Sequence, residues 1–298
     1  MRGWIVYNGN LGDKFLEHAV LFSNSARKLD ITTEIIQNNM LFSYFTERGV
    51  PTLIGWKTGE YPDFVLFWDK DIYLARQLEK MGLPVFNSSR VIETCDDKCA
   101  TYQALSGRDV PMPKTILAPK VYDWSGVQQL EVYDYVTDTL GFPMVIKEAV
   151  GSFGSQVYLI NNKDQMLDKV RELGSIPFLF QEMITSSYGT DLRLQVVGDK
   201  VVAAMRRVSA TDFRANCGQG ANPYAHTPTS EQIALALECC RILGADFAGV
   251  DLLFGPNQEP ILCEVNSNAH IINLQRATGV NVADFMLAYI KKTVELGA

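Results

Sequence analysis

No C-x-x-C pair occurs in the chain. Its cysteines, Cys95, Cys99, Cys217, Cys239, Cys240 and Cys263, are scattered, which argues against a zinc ribbon or a thioredoxin-like dithiol. Cys95 and Cys99 stand one helical turn apart, a spacing open to a metal, but the set reads as free thiols of a reducing compartment. No apolar run approaches the ~20 residues that span a bilayer. The opening Met1–Tyr7 is too short for a secretory leader and reads as a strand. An excess of basic charge is lacking as well. A formal net charge of −7 argues against gripping nucleic acid or an anionic membrane, while leaving room for a local basic pocket. A Walker A loop, a dinucleotide fingerprint, internal repeats and low-complexity tracts are also absent. These exclusions point to a cytoplasmic globular protein.

What is present is ample apolar material, 47% of residues, enough for more than one core. Residues 1–95 alternate strand and helix: strands at Gly3–Tyr7, Thr32–Gln37, Asp63–Trp68 and Pro84–Phe86, helices at Asp13–Lys28, Asn39–Arg48 and Asp71–Met81. That alternation predicts a parallel sheet covered on both faces. Asn8–Gly12 after the first strand offers an anion site at a helix start, though a plain turn explains it as well. A helix over Asp96–Leu105, capped by Asp96, precedes a turn-rich link at Gly107–Pro113. Then come strands Lys114–Ala118 and Pro143–Glu148 around a helix at Ser125–Leu140, a glycine-rich loop, strand Gln156–Ile160, helix Lys163–Leu173 and strand Phe178–Glu182. The remainder reads as long antiparallel strands (Thr190–Val197, Lys200–Ser209, Phe247–Phe254, Ile261–Val265) framed by helices Ser230–Leu243 and Val282–Glu295. The expected division is an α/β unit over 1–95, a small central α+β unit over 96–185 and an antiparallel α+β unit over 186–298.

The strongest local signal is the pair of apolar strands flanking a turn centred on Asn257 and Gln258. Symmetry about that centre places Asp251 directly opposite Glu264, with Cβ atoms about 5 Å apart. Asn266 projects from the same face two residues on. Two opposed carboxylates on an apolar ribbon repel unless a cation lies between them. Three oxygen ligands without His or Cys suit magnesium rather than zinc. The competing reading is a solvent face with two ordinary acids.

Upstream, apolar strand Val145–Glu148 carries Lys147, and Gly151-Ser152-Phe153-Gly154-Ser155 follows it. Glycines let backbone N–H groups approach phosphate closely, although a turn between strands would look the same. Strand Phe178–Glu182 turns polar at its end, where Gln181, Glu182, Met183 and Ile184 could border an adenine. Asp191 and Arg193 share a face of the next strand, where a carboxylate could hold ribose hydroxyls. Arg206-Arg207 ends another apolar strand, and paired arginines there usually meet anions.

In this order, these segments, together with Lys98, Asp212–Asn216 and Glu264-Val265-Asn266, resemble the ATP-grasp superfamily, and within it the RimK-like carboxylate–amine ligases. The resemblance implies the ATP-grasp fold preceded by an α/β (pre-ATP-grasp) domain. It implies ATP as cofactor, with Lys98 and Lys147 on the phosphates, Gln181–Ile184 at the adenine and Asp191 at the ribose. Asp251, Glu264 and Asn266 would hold two magnesium ions, with manganese as an alternative metal. Arg207 would face the γ-phosphate, and Arg214 and Asn216 belong to a loop on the substrate side. The family commonly continues Glu-Val-Asn with a small residue, Ser, Pro and Gly. This chain reads Ser267-Asn268-Ala269-His270, which sets the substrate apart rather than the use of ATP.

The activity implied is joining a small-molecule or peptide carboxylate to an amine through an acyl phosphate, with Lys147, Arg207 and Arg214 as candidates for the moving charge. A phosphotransferase on the same fold and a nucleotide-binding regulator without turnover are the rival readings. The family is often oligomeric, which leaves a homo-oligomer open.

Overall fold

The computed structural model describes residues 1–55, 61–121, 130–152 and 154–297. The N-terminal part opens with β1 (Arg2–Tyr7), α1 (Asp13–Arg27) and β2 (Thr32–Gln37). It continues through β3 (Leu41–Phe45), β4 (Pro51–Gly55), β5 (Phe64–Trp68), α2 (Ile72–Lys80) and β6 (Val85–Phe86). Strands β2-β1-β5-β6 form a parallel sheet in that order. The run Phe64–Trp68 is buried throughout, as a parallel strand covered on both faces must be.

The helix expected over Asn39–Arg48 is not there. Those residues supply β3, which pairs antiparallel with β4 as a separate ribbon. Leu41, Phe42, Tyr44 and Phe45 favour a strand over a helix, and Gln77 of α2 anchors the ribbon by donating to the Tyr44 and Thr52 carbonyls at 3.1 and 2.7 Å.

Two short helices follow, α3 (Ser89–Asp96) and α4 (Lys98–Leu105). The chain breaks between them at Asp97, whose carboxylate accepts from the Ala100 N–H at 3.0 Å. Asp97 is therefore the cap expected of Asp96, which instead ends α3 and pairs with Lys70.

The central part holds β7 (Thr115–Leu117), α5 (Val132–Leu140), β8 (Met144–Glu148), β9 (Val157–Ile160), α6 (Lys163–Leu173) and β10 (Phe178–Glu182). Its antiparallel sheet runs β7-β10-β8-β9. The helix expected from Ser125 is seen from Val132, and its first residues lie outside the described ones. Met144, Ile146, Phe178 and Phe180 pack with Met166 and Val170 under the helices. Strand alternation therefore turns Val145, Lys147 and Gln181 the other way.

The C-terminal part comprises β11 (Thr190–Val197), β12 (Lys200–Val208), β13 (Asn222–Ala225), α7 (Ser230–Leu243), β14 (Phe247–Phe254), β15 (Pro260–Asn266), α8 (Ile272–Thr278) and α9 (Val282–Gly297). Its antiparallel sheet runs β13-β12-β11-β14-β15. One face, with Leu192, Leu194, Val250 and Leu252, packs on α4 and α7. The other, with Val197, Met205 and Phe247, shares a core with α9 and with Ile5, Phe22 and Leu66 of the N-terminal sheet. Helix α7 starts with a capping box between Thr229 and Gln232, a strong N-terminal stop. No helix among the described residues is long and apolar enough to cross a membrane.

Candidate active site

Period-two alternation on the C-terminal sheet places Asp191, Arg193, Arg207, Asp251, Glu264 and Asn266 on one face. The register then sets them opposite one another: Asp191 against Arg207, Arg193 against Asp251, Asp251 against Glu264, and Gly249 against Asn266. The opposition of Asp251 and Glu264 matches the hairpin symmetry expected from the sequence, by a less direct route. Near the turn the register is one residue shorter, with Leu252 opposite Leu262, and a bulge at Cys263 restores it. The bulge also explains why Leu262 and Val265, three apart, both face the α7 core.

The carboxylate pair is not the repelling one anticipated. Arg193 donates to both Asp251 oxygens, Nε to Oδ1 and Nη2 to Oδ2, each at 2.7 Å. Arg207 Nη2 adds a bond to Oδ2 at 2.9 Å. Arg207 also forks onto Asp191 at 2.6 and 2.5 Å. Burial alone would push the Asp251 carboxyl up, but the two guanidinium groups outweigh it and hold the group below the usual carboxylate range. Asp191, expected at a ribose, is thus committed to Arg207. Arg206 points to the opposite face, with its guanidinium 5.4 Å from the centre of the Phe254 ring. Arg206-Arg207 is therefore not a paired anion site, because adjacent strand residues cannot face the same way.

Lys147 and Lys98 approach this face from the central part and from the start of α4. Both are buried, at 8% exposure each, and neither forms an ion pair among the described residues. Lys98 Nζ reaches the Gly151 carbonyl at 3.4 Å, and Lys147 Nζ the Cys263 sulfur at 3.9 Å. Burial pushes the Cys263 thiol up to about 11, so at neutral pH that neighbour is uncharged. The Tyr102 hydroxyl, raised to about 12 by burial, is neutral too. Glu264 and Asp251 are the anions that favour the Lys147 charge, and Asp251 is already shared by two arginines. The surroundings outweigh burial and hold the Lys147 ammonium above the usual lysine range, and with no carboxylate in contact among the described residues that charge is left to face an anion from outside.

Two cavities meet here. A small one, 130 Å³, is lined by Val145, Lys147, Gln181, Glu182, Met183, Ile184, Asp191, Leu253 and Cys263. A large one, 540 Å³, runs from Arg193 and Asn266 to the N-terminal sheet, along Gly151, Ser152 and Gly154. Lys98, Gly154, Arg207, Asp251 and Glu264 line both. Ser155 lines neither, and Phe153 lies outside the described residues. Glu182 accepts from the Lys114 N–H at 2.9 Å, which squares the strand end off beside the small cavity. Arg214 is not poised over a free anion position. It grips Asp212 with Nε and Nη2, and Nη1 donates to the Gly154 carbonyl at 2.7 Å, strapping the glycine-rich loop.

Among the described residues no three His, Cys, Asp or Glu side chains converge as a metal cage. The sequence-derived set of Asp251, Glu264 and Asn266 needs only two carboxylates and an amide, all hard donors of the kind magnesium takes. Asp251 Oδ1 accepts one bond and so retains a lone pair. The Asn266 amide nitrogen is buried without a hydrogen-bond partner, and amide N and O are exchangeable by a flip. The residues fit a hard divalent ion at that place.

Sequence reasoning passed over Trp68 and Asp69 at the far end of the large cavity, where the structure brings them together with Asn8, from the stretch read as an anion site or a plain turn, and with Asn268 and His270, from the stretch that departs from the family's loop. Asn8 and Asp69 directly follow β1 and β5, and the chain steps from β1 to one neighbour and later to the other. Ligands gather at such switch points of α/β sheets, a signal that needs the strand order, which the alternation of strand and helix does not give.

Residues 95–290 match the family description "RimK-like ATP-grasp domain". The chain belongs to this family. It is 36% identical over 230 residues to beta-citrylglutamate synthase B of Danio rerio, which covers 74% of this chain and 55% of that protein. To N-acetylaspartylglutamate synthase A of Homo sapiens it is 33% identical over 224 residues, 74% of this chain and 56% of the relative. The chain thus spans little more than half the length of these two. A probable alpha-L-glutamate ligase of Legionella pneumophila is 32% identical over 73% of this chain and 70% of its own. The fold is that of the ATP-grasp ligase PsnB, solved with a minimal precursor variant, Mg and ADP (TM-score 0.70, 17% identity, 98% of each chain). It is equally that of a D-alanine–D-alanine ligase from Bacillus anthracis (TM-score 0.71, 18% identity, all of both chains).

Proposed function

We propose that this RimK-like chain is an ATP-dependent ligase that joins a carboxylate to an amine, releasing ADP and phosphate, and that it works in the cytoplasm. The observation that carries the reading is the pair Lys98 and Lys147: two buried ammonium groups without carboxylate partners, Lys98 where the two cavities meet and Lys147 in the wall of the small one. A nucleotide lays its base in the small cavity against Met183, Ile184 and Leu253. Its phosphates cross to Lys98, Lys147 and the backbone of Gly151–Gly154, and the reacting carboxylate enters from the large cavity. Three sheets with their own helices support a division at 1–95, 96–185 and 186–298. The names of the relatives favour glutamate or another amino acid as the amine.

Magnesium bound at Asp251, Glu264 and Asn266, as two ions in the fullest form of this reading, would neutralise charge on the nucleotide's outer phosphates. The chain's own contribution is positioning and fixed charge. Lys147 is held by its burial in one place beside Glu264. The Arg207 Nε and Nη2 donors are spent on Asp191 and Asp251, which leaves Nη1 for the phosphoryl oxygens. Arg214 keeps the glycine-rich loop closed over the phosphates, which limits water at the acyl phosphate. The amine nitrogen, as the free base, then attacks the acyl carbon, inorganic phosphate departs with the C–O bond electrons, and the nitrogen gives up its surplus proton to the departing phosphate as the amide forms.

The test is ADP release across a panel of carboxylates and amino acids, with products read by mass. Glu264→Gln should lower turnover by at least about a hundredfold while the protein stays folded. Hydroxylamine should trap a hydroxamate. ADP release without hydroxamate and with a phosphorylated product would replace the ligase by a phosphotransferase, and unchanged turnover in Glu264→Gln would remove the metal assignment.

A further inference from the structure

The large cavity, 540 Å³, is lined beyond the glycine-rich loop by residues at the ends of the N-terminal sheet's strands. At that end the C-terminal tips of β1 and β5 place Asn8 and Asp69 side by side, at the point where the order β2-β1-β5-β6 reverses. Asp69 is 7% exposed. Asn8 Nδ2 donates to its Oδ1 at 3.1 Å and approaches Oδ2 at 3.4 Å, and the Lys70 N–H donates to Oδ1 at 2.7 Å. These are neutral donors. The adjacent ammonium that would pair most simply with Asp69 is directed elsewhere, since Lys70 Nζ bonds Asp96 and the Ser152 hydroxyl. No ion pair to Asp69 forms among the described residues. Oδ2 accepts only the long bond and so keeps lone pairs free, and Asp69 lines the large cavity.

A carboxylate that is nine-tenths buried and without a cation is costly to keep ionised. Burial accordingly pushes its proton affinity up, against the bonds from Lys70 N–H and Asn8. Its environment is also supplied with flat groups. The His18 ring stacks on Trp68 with centroids 5.9 Å apart, and His270 meets His18 edge-on at 4.8 Å. His270 belongs to the stretch Ser267–His270 that departs from the family's usual loop. That stretch is pinned to the N-terminal part, with Asn268 Nδ2 donating to the Phe67 carbonyl at 3.1 Å, one residue before Trp68.

We propose that Asp69, oriented by Asn8, is the recognition site for the ammonium group of the substrate that supplies the carboxylate, a free amino acid or a peptide bound in the large cavity, and not for the amine that attacks the acyl carbon. The inference rests on the ligase reading for the identity of the cavity's occupant and deepens it: it says which end of an amino acid the N-terminal sheet reads. The substrate's ammonium supplies the cation that Asp69 lacks, and its hydration is exchanged for the carboxylate. An acylated or deaminated analogue leaves the buried carboxylate unpaired, so the site rejects it.

The experiment is a binding measurement on the full chain saturated with Mg·ADP. Each of a panel of L-amino acids is titrated against its N-acetyl counterpart by calorimetry or ligand-observed NMR. At least one free amino acid should bind about thirtyfold or more tighter than its N-acetyl form. Asp69→Asn should reduce that preference to within a few-fold and leave Mg·ADP affinity as in the wild type. Should Asp69→Asn fail to fold, Asn8→Ala, which frees the carboxylate from its orienting amide, carries the same expectation of a reduced preference. Equal binding of free and acetylated forms by the wild type, or an undiminished preference in the variant, overturns the proposal. Failure of the ligase reading looks different: Mg·ADP binds and amino acids are selected, but no carboxylate supports ADP release.

Discussion

Lys147 and Arg207 are both buried cations turned toward the cleft, yet their removal should have opposite effects on the empty protein. Arg207 sits between Asp191 and Asp251. Arg207→Met leaves Asp191 buried and unpaired, and loss of one partner from such a network costs about 3–5 kcal/mol. Urea unfolding should show that loss directly. Lys147 has no carboxylate in contact among the described residues: its hydrogen-bond partner is the Cys263 sulfur at 3.9 Å, and the anions that favour its charge are Glu264 and Asp251, the latter shared with two arginines. Lys147→Met should therefore keep or raise the melting temperature without ligand, while abolishing the rise that Mg·ADP gives the wild type. A Lys147→Met protein that is destabilised and still shifted by Mg·ADP would mean the lysine is structural. The two residues were not separable from their strands alone. The alternation of β12 decides that Arg207, and not Arg206, enters the cleft, but only pairing with β11 reveals that Asp191 and Asp251 claim most of its donors.

At the scale of elements, much of the architecture was legible, because strands of this chain are either continuously apolar or strictly alternating. Residues Asn39–Arg48 misled because a run with four apolar side chains in five positions carries no clear period. Its pairing with β4 is a non-local fact. The bulge at Cys263 was invisible for the same kind of reason: one extra residue in β15 leaves no mark in composition, and only the burial of both Leu262 and Val265 discloses it. Helix α9 illustrates an interaction whose sign the fold alone determines. Its Tyr289 hydroxyl donates to Asp246, at the start of β14, at 2.9 Å. Burial pushes Asp246 up to about 6, more than the Tyr289 bond lowers it. A carboxyl raised in the folded state favours the protonated form, so its contribution is present below the unfolded pKa near 4 and lost as pH rises through about 6. The wild type should lose about 2 kcal/mol from this group between pH 4 and pH 7, allowing for partial exposure. Asp246→Asn keeps an acceptor for Tyr289 and should flatten that part of the pH profile of the urea midpoint. An identical slope in both proteins would show that Asp246 titrates normally.

Across the whole molecule, the cores are unequally connected. The N-terminal sheet and the C-terminal sheet share one cluster, in which Ile5, Phe22, Leu66 and Trp68 touch Val197, Met205, Phe247 and Ile290. Asn87, fully buried, stitches the same two parts. Its amide donates to the Phe247 and Ser267 carbonyls at 2.8 and 3.1 Å and accepts from the Asp246 N–H at 2.8 Å. The central sheet has a core of its own, from Val136 to Phe180, drawing on neither neighbour. A unit whose sheet and helices run only from Thr115 to Glu182 buries proportionately little of its surface and is marginal alone. It should therefore open without the rest, as a separate cooperative unit. Hydrogen exchange should find the amides of β8 and β10 exchanging through openings of lower free energy than those of β1, β5, β11 and β14. In the proposed binding mode Mg·ADP would touch this unit through Lys147, Gly151 and the Gln181–Ile184 strand end, and its binding free energy would add to the closed state. The nucleotide should consequently slow exchange most in β8 and β10 and hardly at all in β1 and β2. Equal protection of all three sheets without ligand would mean that the straps from Arg214 and Lys70 to the glycine-rich loop already weld the central unit to the others, and that nucleotide binding organises nothing further.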